Sequence, residues 1–278
     1  MKPISSLLFL IAILGLVLSA DATLCVEHHP WKKVDEGLHI AEFVPPEVSK
    51  TDTSRITIVK TNPRFYSFKL LCASEHGKTR MTMKQWCQKF NLIAAINAGM
   101  YQEDGIKNVG YMKNFNHVNN PRLNNTYKAV LAFNPIELTL PEIQIIDVKH
   151  QDLETLRGKY QTLIQNIRMI SCQQENVWKK QDKVWGLAVF GMDKSGNALF
   201  IFTESCYSGY DLANIILSLP VSIYNAMYLE GGQEANLYFS ANGTELERIG
   251  CPTGLNENYN LPVARVIPNI IGIVKKSK

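Results

Sequence analysis

From Leu38 onward the chain is a succession of short runs whose hydrophobic and polar positions suit strands. "RITIVKT" (55–61) alternates, the two-residue period of a strand with one face in a core. "LIAAIN" (92–97) is continuously apolar, as in a strand buried on both faces. "RFYSFKLLCA" (64–73), "KAVLAF" (128–133) and "IQIIDV" (143–148) read as further strands. "WGLAVFGM" and "ALFIFTES" flank "DKSGN", whose turn-forming residues predict a hairpin.

Helical periodicity is scarcer. "TMKQWCQKF" starts at a plausible Thr82 cap. "SGYDLANIILSL" opens with Ser208 and Asp211 as a start signal, lines Leu212, Ile215, Ile216 and Leu219 on one face, and stops at Pro220. "HQDLETLRGKYQ" (150–161) is a weaker third helix, and "NFNHVNNPRLNN" (114–125) reads as a polar loop that could cover a site. Many strands with a few interspersed helices predict an α+β fold. A single domain over residues 23–278 would be built on a mixed, mostly antiparallel sheet with a few packed helices.

Composition narrows the class. The 278 residues are 46% hydrophobic and 19% charged, a globular balance. The net charge of +4 shows no clustered Lys and Arg, so nucleic acid is not an expected partner. Lys2, the short apolar run "LLFLIAILGLVL" and "ADA" at 20–22 predict a cleavable signal peptide over residues 1–22. A secreted or periplasmic protein with no membrane segment after cleavage is the resulting expectation. Six cysteines (Cys25, Cys72, Cys87, Cys172, Cys206 and Cys251) are compatible with disulfides in that compartment. Fifteen connectivities remain open.

Candidate chemistry gathers at strand ends. "NAMYLEGGQEANLYF" (225–239) runs a buried strand into Glu230, removes the neighbouring side chains at Gly231 and Gly232, and adds a second acid at Glu234. Glycines there let another molecule approach the main chain, and a carboxylate can act as acid, base or ligand. "AINAGMYQEDG" (95–105) repeats the grammar with Asn97 and Gly99. In "TESCYSGYDLA" (203–213) Glu204 ends a strand, and the helix start at Ser208 and Gly209 offers unpaired N–H groups to an anion. Arg168 stands alone in the apolar "QNIRMIS" (165–171), where its planar fork suits a phosphate. Taken singly, each has a bland reading as turn, cap or ion pair. Together they suggest one anion-accepting cleft.

These segments carry a resemblance. "AINAGMY", "QNIRMIS", "WGLAVFGMDKSGNALFIFTES", "SGYDLANIILSL", "NAMYLEGGQEANLY" and "RVIPNIIGIV" occur in the order found in the phosphodiester glycosidase family. Asn97 and Gly99 match its first motif, Arg168 lies in the second, Glu204 matches an acidic strand end, Gly209 and Leu212 match the helix start, and Glu230, Gly231 and Gly232 match its Leu-Asp-Gly-Gly. The chain departs from the pattern at Ala98, usually Gly, and at Glu230, usually Asp, and it looks like the bacterial-type branch. The resemblance implies an exported hydrolase that cleaves the C1–O bond of a sugar 1-phosphodiester in a glycan or glycoconjugate. Glu230 would be base or nucleophile, Glu204 the second carboxylate and Glu234 a reserve. Arg168 would clamp phosphate, Ser208 and Gly209 would seat the anion, and Asn97 would orient a hydroxyl. No organic cofactor is expected; the acids leave room for a divalent metal, although no ligand spacing demands one. Two alternatives stand beside this: a catalytically inactive envelope protein that binds glycan phosphodiesters, and a cysteine or serine hydrolase using "ESCYSG".

Overall fold

The computed structural model describes residues 30–45, 55–251 and 263–277. The expected signal peptide and Cys25 lie outside the described residues. Among the described residues, sixteen strands and three α-helices follow one another. The first half holds β1 (Lys32–Asp35), β2 (Leu38–Phe43), β3 (Ile56–Thr61), β4 (Tyr66–Cys72), α1 (Met83–Phe90), β5 (Ala94–Asn97), β6 (Met112–Asn114), β7 (His117–Asn120) and β8 (Ala129–Pro135). Next come β9 (Ile143–Asp147), α2 (Leu153–Arg157), β10 (Tyr160–Ile170), β11 (Trp185–Asp193), β12 (Ala198–Tyr207) and α3 (Gly209–Ser218). The last part is β13 (Ile223–Gly231), β14 (Asn236–Ala241), β15 (Thr244–Ile249) and β16 (Asn269–Lys275).

These strands form an eleven-stranded and a five-stranded sheet. The large sheet runs β1-β2-β3-β12-β11-β13-β10-β6-β7, with β8 on β10 and β9 on β8; the small one runs β15-β14-β5-β16-β4. Every strand pairing among the described residues is antiparallel. The mostly antiparallel pairing expected from the sequence is found; the α+β class on one sheet is corrected to a sheet-dominated fold of two sheets. Short connections join antiparallel neighbours such as β6–β7, β8–β9, β11–β12 and β14–β15, while pairs such as β3–β12 and β4–β16 join strands far apart in sequence.

The main core lies between the sheets. Ala188, Phe190 and Met192 of β11 pack there with Leu237 and Phe239 of β14 and Ile271 and Ile273 of β16. The intervening residues of β11, Leu187 and Val189, face the other way, under Leu212, Ile215 and Ile216 of α3. A strand covered on both faces needs an unbroken apolar run, which explains "WGLAVFGM". α1 covers the outer face of the small sheet through Met83, Trp86 and Cys87. It begins with a complete capping box between Thr82 and Gln85 and ends at Asn91 in left-handed geometry (φ 51°).

The segment expected to be a loop at 114–125 begins as a hairpin of β6 and β7. Its polar residues carry no apolar alternation, yet Asn119 and Asn120 are buried and hydrogen-bonded. Asn119 Oδ1 accepts from the Asn108 N–H at 2.7 Å, and Asn120 Nδ2 donates to the Asn108 carbonyl at 2.9 Å. Side-chain amides there do what apolar contacts do elsewhere.

Candidate active site

The site forms where the two sheets exchange chain. β13 belongs to the large sheet; a single turn of 3-10 helix at Gly232–Glu234 then delivers the chain to β14 of the small sheet. Gly232 takes φ +69°, the left-handed backbone that makes the sharp turn. Asn97, at the end of β5, braces this crossover. Its Nδ2 donates to the Glu234 carbonyl at 2.8 Å and its Oδ1 accepts from the Asn236 N–H at 2.7 Å. Asn97 is fully buried, so its amide positions the turn and is not free to orient a substrate hydroxyl.

Glu230 lies at a seam. On one side it pairs with Ala188 of β11. On the other side β10 pairs with β13 only at Ile167, Arg168 and Ile170, and pairs with β6 over Thr162–Ile164. Between these stretches β10 changes neighbours, with the Gln165 N–H donating to the Tyr111 carbonyl at 2.8 Å. The end of β13 is thus left without a β10 partner. Gln165 also fastens the next segment: its Nε2 donates to the carbonyls of Asn124 and Tyr127, each at 2.9 Å. Tyr127 is thereby held in the field of Glu230. A cavity of about 310 Å³ opens on the α2 side of Tyr127 and Gln165, lined also by Lys128, Asp152 and Glu154; Glu230 and Glu234 do not line it.

Glu230 is 8% exposed and its Oε1 accepts the Gly231 N–H at 3.0 Å. Burial, opposed by that hydrogen bond and reinforced by the charge of Glu234, pushes its carboxyl up to about 8. It is therefore mostly protonated at neutral pH. Tyr101 is pushed up by burial and then by Glu234 and Glu230, while Arg80 and Arg265 pull it down. Tyr228 is also raised, by burial and then by Glu230. A side chain at Gly231 would collide with Trp185 and the Tyr228 hydroxyl, and Trp178 packs edge-on against Tyr228 with ring centroids 5.3 Å apart. The buried acid is thus set among tyrosines and tryptophans, with Glu234 half-buried on the crossover turn. Tyr101, Tyr127, Arg80 and Arg265 were missed by sequence reading, because nothing in their local context links them to Glu230.

The structure divides the expected constellation. Glu230, Glu234, Gly231 and Gly232 come together, with Asn97 beneath them. Arg168 does not join them as a phosphate clamp: its guanidinium holds both oxygens of buried Asp147, at 2.8 and 3.0 Å. Glu204 pairs instead with Arg248 at 3.3 Å, which also binds Glu42 at 2.7 Å. Its carboxyl is raised by burial, lowered by Arg248 and raised by Glu42; Glu230 is not among its influences. Ser208 caps α3, donating to Asp211 Oδ2 at 2.7 Å and accepting the Asp211 N–H at 3.0 Å, so its hydroxyl already has partners. Gly209 packs on Trp178. The thiol-hydrolase alternative is removed by the Cys206–Cys251 disulfide.

Gly99 sits between two buried side-chain amides. A Cβ there would lie 2.5 Å from Asn108 Oδ1 and 2.7 Å from Asn166 Oδ1. Both amides are fixed by their donors, Asn108 Nδ2 on the Gly110 carbonyl at 3.0 Å and Asn166 Nδ2 on the Ala98 carbonyl at 2.8 Å. Gly99→Ala should therefore lower stability by about 1–3 kcal/mol in chemical denaturation, the usual cost of overpacking. An unchanged midpoint would mean that the amides can swing aside.

Among the described residues, one group has metal-ligand character: Asp147, His150 and Cys172. Asp147 accepts from Arg168, Lys149 N–H and Cys172 N–H, which saturates its oxygens. It is a brace between the ends of β9 and β10, apart from the Glu230 seam.

A buried carboxyl pushed up by burial, beside a second acid at a sheet crossover, is an arrangement that acid–base chemistry can use. A sequence profile of the phosphodiester glycosidase family matches residues 90–274, and the chain belongs to that family. None of the curated protein sequences matches it. Twelve chains of solved structures match, among them two that cover most of this chain. One is the catalytic domain of zebrafish N-acetylglucosamine-1-phosphodiester alpha-N-acetylglucosaminidase, auto-inhibited by its pro-peptide, with TM-score 0.58, 14% identity, and coverage of 86% of this chain and 84% of that one. The other is a hypothetical protein from Synechocystis, with TM-score 0.60, 13% identity, and coverage of 87% of this chain and 62% of that one. At these identities the likeness is one of fold.

Proposed function

We propose that the protein hydrolyses a sugar 1-phosphodiester at the sugar C1–O bond, with N-acetylglucosamine as the first sugar to test and a glycan or glycoconjugate across the phosphate. The observation that carries this reading is Glu230, a carboxyl held near 8 at an unpartnered strand end with Glu234 beside it. A neutral carboxyl can hydrogen-bond to a phosphodiester oxygen without repelling its charge, and it can donate its proton to the oxygen that leaves C1. Glu234, on the wetter side, takes the proton of the water that attacks C1. The products are the free sugar and a phosphomonoester, and atoms and charge balance without any organic cofactor. The charge removed from the expected set, Arg168, serves the fold, and Glu204 serves the Arg248 network. Export, expected from residues 1–22, is part of the same proposal and would give the enzyme extracytoplasmic phosphoglycans.

The test is turnover of an N-acetylglucosamine 1-phosphodiester in ¹⁸O water. Label in the released sugar is the expected result, and label in the phosphate would replace the glycosidase by a phosphodiesterase. Glu234→Gln should slow kcat by about 100-fold or more, the usual worth of a general base. Full activity in that variant would remove Glu234 from the mechanism.

A further inference from the structure

With Arg168 held by Asp147, the seam needs another group to receive a phosphodiester charge. Two arginines are brought to its outer edge by segments far apart in sequence. Met81 and Ile267 form an isolated antiparallel bridge, closed by the Ile267 N–H to the Met81 carbonyl at 2.7 Å. Arg80 precedes one strand of that bridge and Arg265 the other. Arg80 reaches under the turn that follows Tyr101: a Cβ on Gly105, which takes φ +68°, would lie 2.9 Å from Arg80 Nη1. Arg265 Nη2 donates to Gln233 Oε1 at 2.6 Å, and Gln233 is the residue between Gly232 and Glu234. Both arginines are exposed, and neither has a carboxylate partner among the described residues.

Tyr101 locates them relative to the acids. Glu234 and Glu230 raise its phenol and Arg80 and Arg265 lower it, so all four charges act on one ring. Glu230, by contrast, is influenced by burial, Gly231 and Glu234, and by neither arginine. Glu230 is buried, Glu234 and Tyr101 are half-buried and both arginines are exposed, so the order from inside to outside is Glu230, then Glu234 and Tyr101, then the two cations. A sugar 1-phosphodiester has the same order, with C1 inward and the phosphorus one oxygen further out.

We infer that Arg80 and Arg265, one on each side of the Met81–Ile267 bridge, form the phosphodiester-binding subsite of this cleft. The inference rests on the glycosidase reading for its orientation, but anion binding stands without it. Guanidinium forks suit the two non-bridging oxygens of a phosphodiester, and placing them beyond Tyr101 keeps their charge from ionising Glu230. The outer pair would select for a charged aglycone and leave the sugar contacts to the inner aromatic wall.

Calorimetric titration separates the two ideas. The probes are a dialkyl phosphate carrying no sugar, N-acetylglucosamine 1-phosphate, and free N-acetylglucosamine. Wild-type protein should bind both phosphate probes. Arg80→Ala or Arg265→Ala should weaken each by roughly 10-fold and the double variant by about 100-fold, with free sugar unaffected. Lysine replacements should recover part of the loss, because charge returns without the fork. Unaltered phosphate binding in the double variant overturns the clamp, as does wild-type protein that binds neither phosphate probe, or equal loss of free-sugar binding. Melting curves of the variants exclude simple unfolding. Arginine-dependent phosphate binding without turnover would sink the glycosidase reading alone. Glu230-dependent turnover that persists in the double variant would sink the clamp alone.

Discussion

Glu230→Gln will abolish turnover of a sugar 1-phosphodiester and will make the protein harder to unfold at alkaline pH. Both effects come from the burial that lifts the carboxyl to about 8. The unfolded chain carries an ordinary glutamate, so the folded state binds the proton more tightly than the unfolded state. Stability from this group is fully present below the ordinary glutamate range and is lost as pH rises toward and through about 8. Glutamine keeps the oxygen that accepts the Gly231 N–H and never ionises. The melting temperature of Glu230→Gln minus that of wild type should therefore lie near zero at pH 5 and climb by several degrees at pH 9. Parallel curves would show that Glu230 ionises freely. In activity, wild-type kcat/KM should fall as pH rises through about 8, because the acid is then deprotonated. For the glutamine variant the loss should reach about 100-fold or more. Retained turnover would remove Glu230 from the chemistry, whatever its effect on stability.

Asp147→Ala should severely destabilise the fold. Asp147 is 1% exposed, and its carboxylate accepts from Arg168, Lys149 and Cys172, joining the ends of β9 and β10. Removing it leaves a largely buried guanidinium without its anion, a defect of about 3–5 kcal/mol. Denaturant unfolding should show that loss. Arg168→Ala should also destabilise, yet under conditions where it remains folded its KM for a phosphodiester should match wild type. A variant of normal stability with a greatly raised KM would return Arg168 to the phosphate site.

Local grammar revealed the elements. Ser208 and Asp211 started α3, Thr82 capped α1, and "DKSGN" turned β11 into β12, because caps and turns are made by residues a few positions apart. Strand existence was equally legible where both faces are buried. The hairpin of β6 and β7 at the sheet margin was not: the edge strand β7 holds its place by asparagine hydrogen bonds, which leave no hydrophobic period to read. Glu230 stood out because a glycine pair after a buried strand is a local anomaly.

What the sequence alone determined was the family order of motifs, the strand-rich class, and the acid at the end of β13. Only the tertiary structure decided the partners. Arg168 and Asp147 are 21 positions apart, Glu204 and Arg248 are 44 apart, and Asn97 reaches Glu234 across 137. A charged side chain bonds whichever opposite group the packed sheets bring within about 3 Å, and that proximity is set by sheet pairing rather than chain position. For the same reason the two acids met different fates: Glu230, at the end of β13, is buried beside Glu234, while Glu204, expected at a strand end but lying inside β12, faces Arg248.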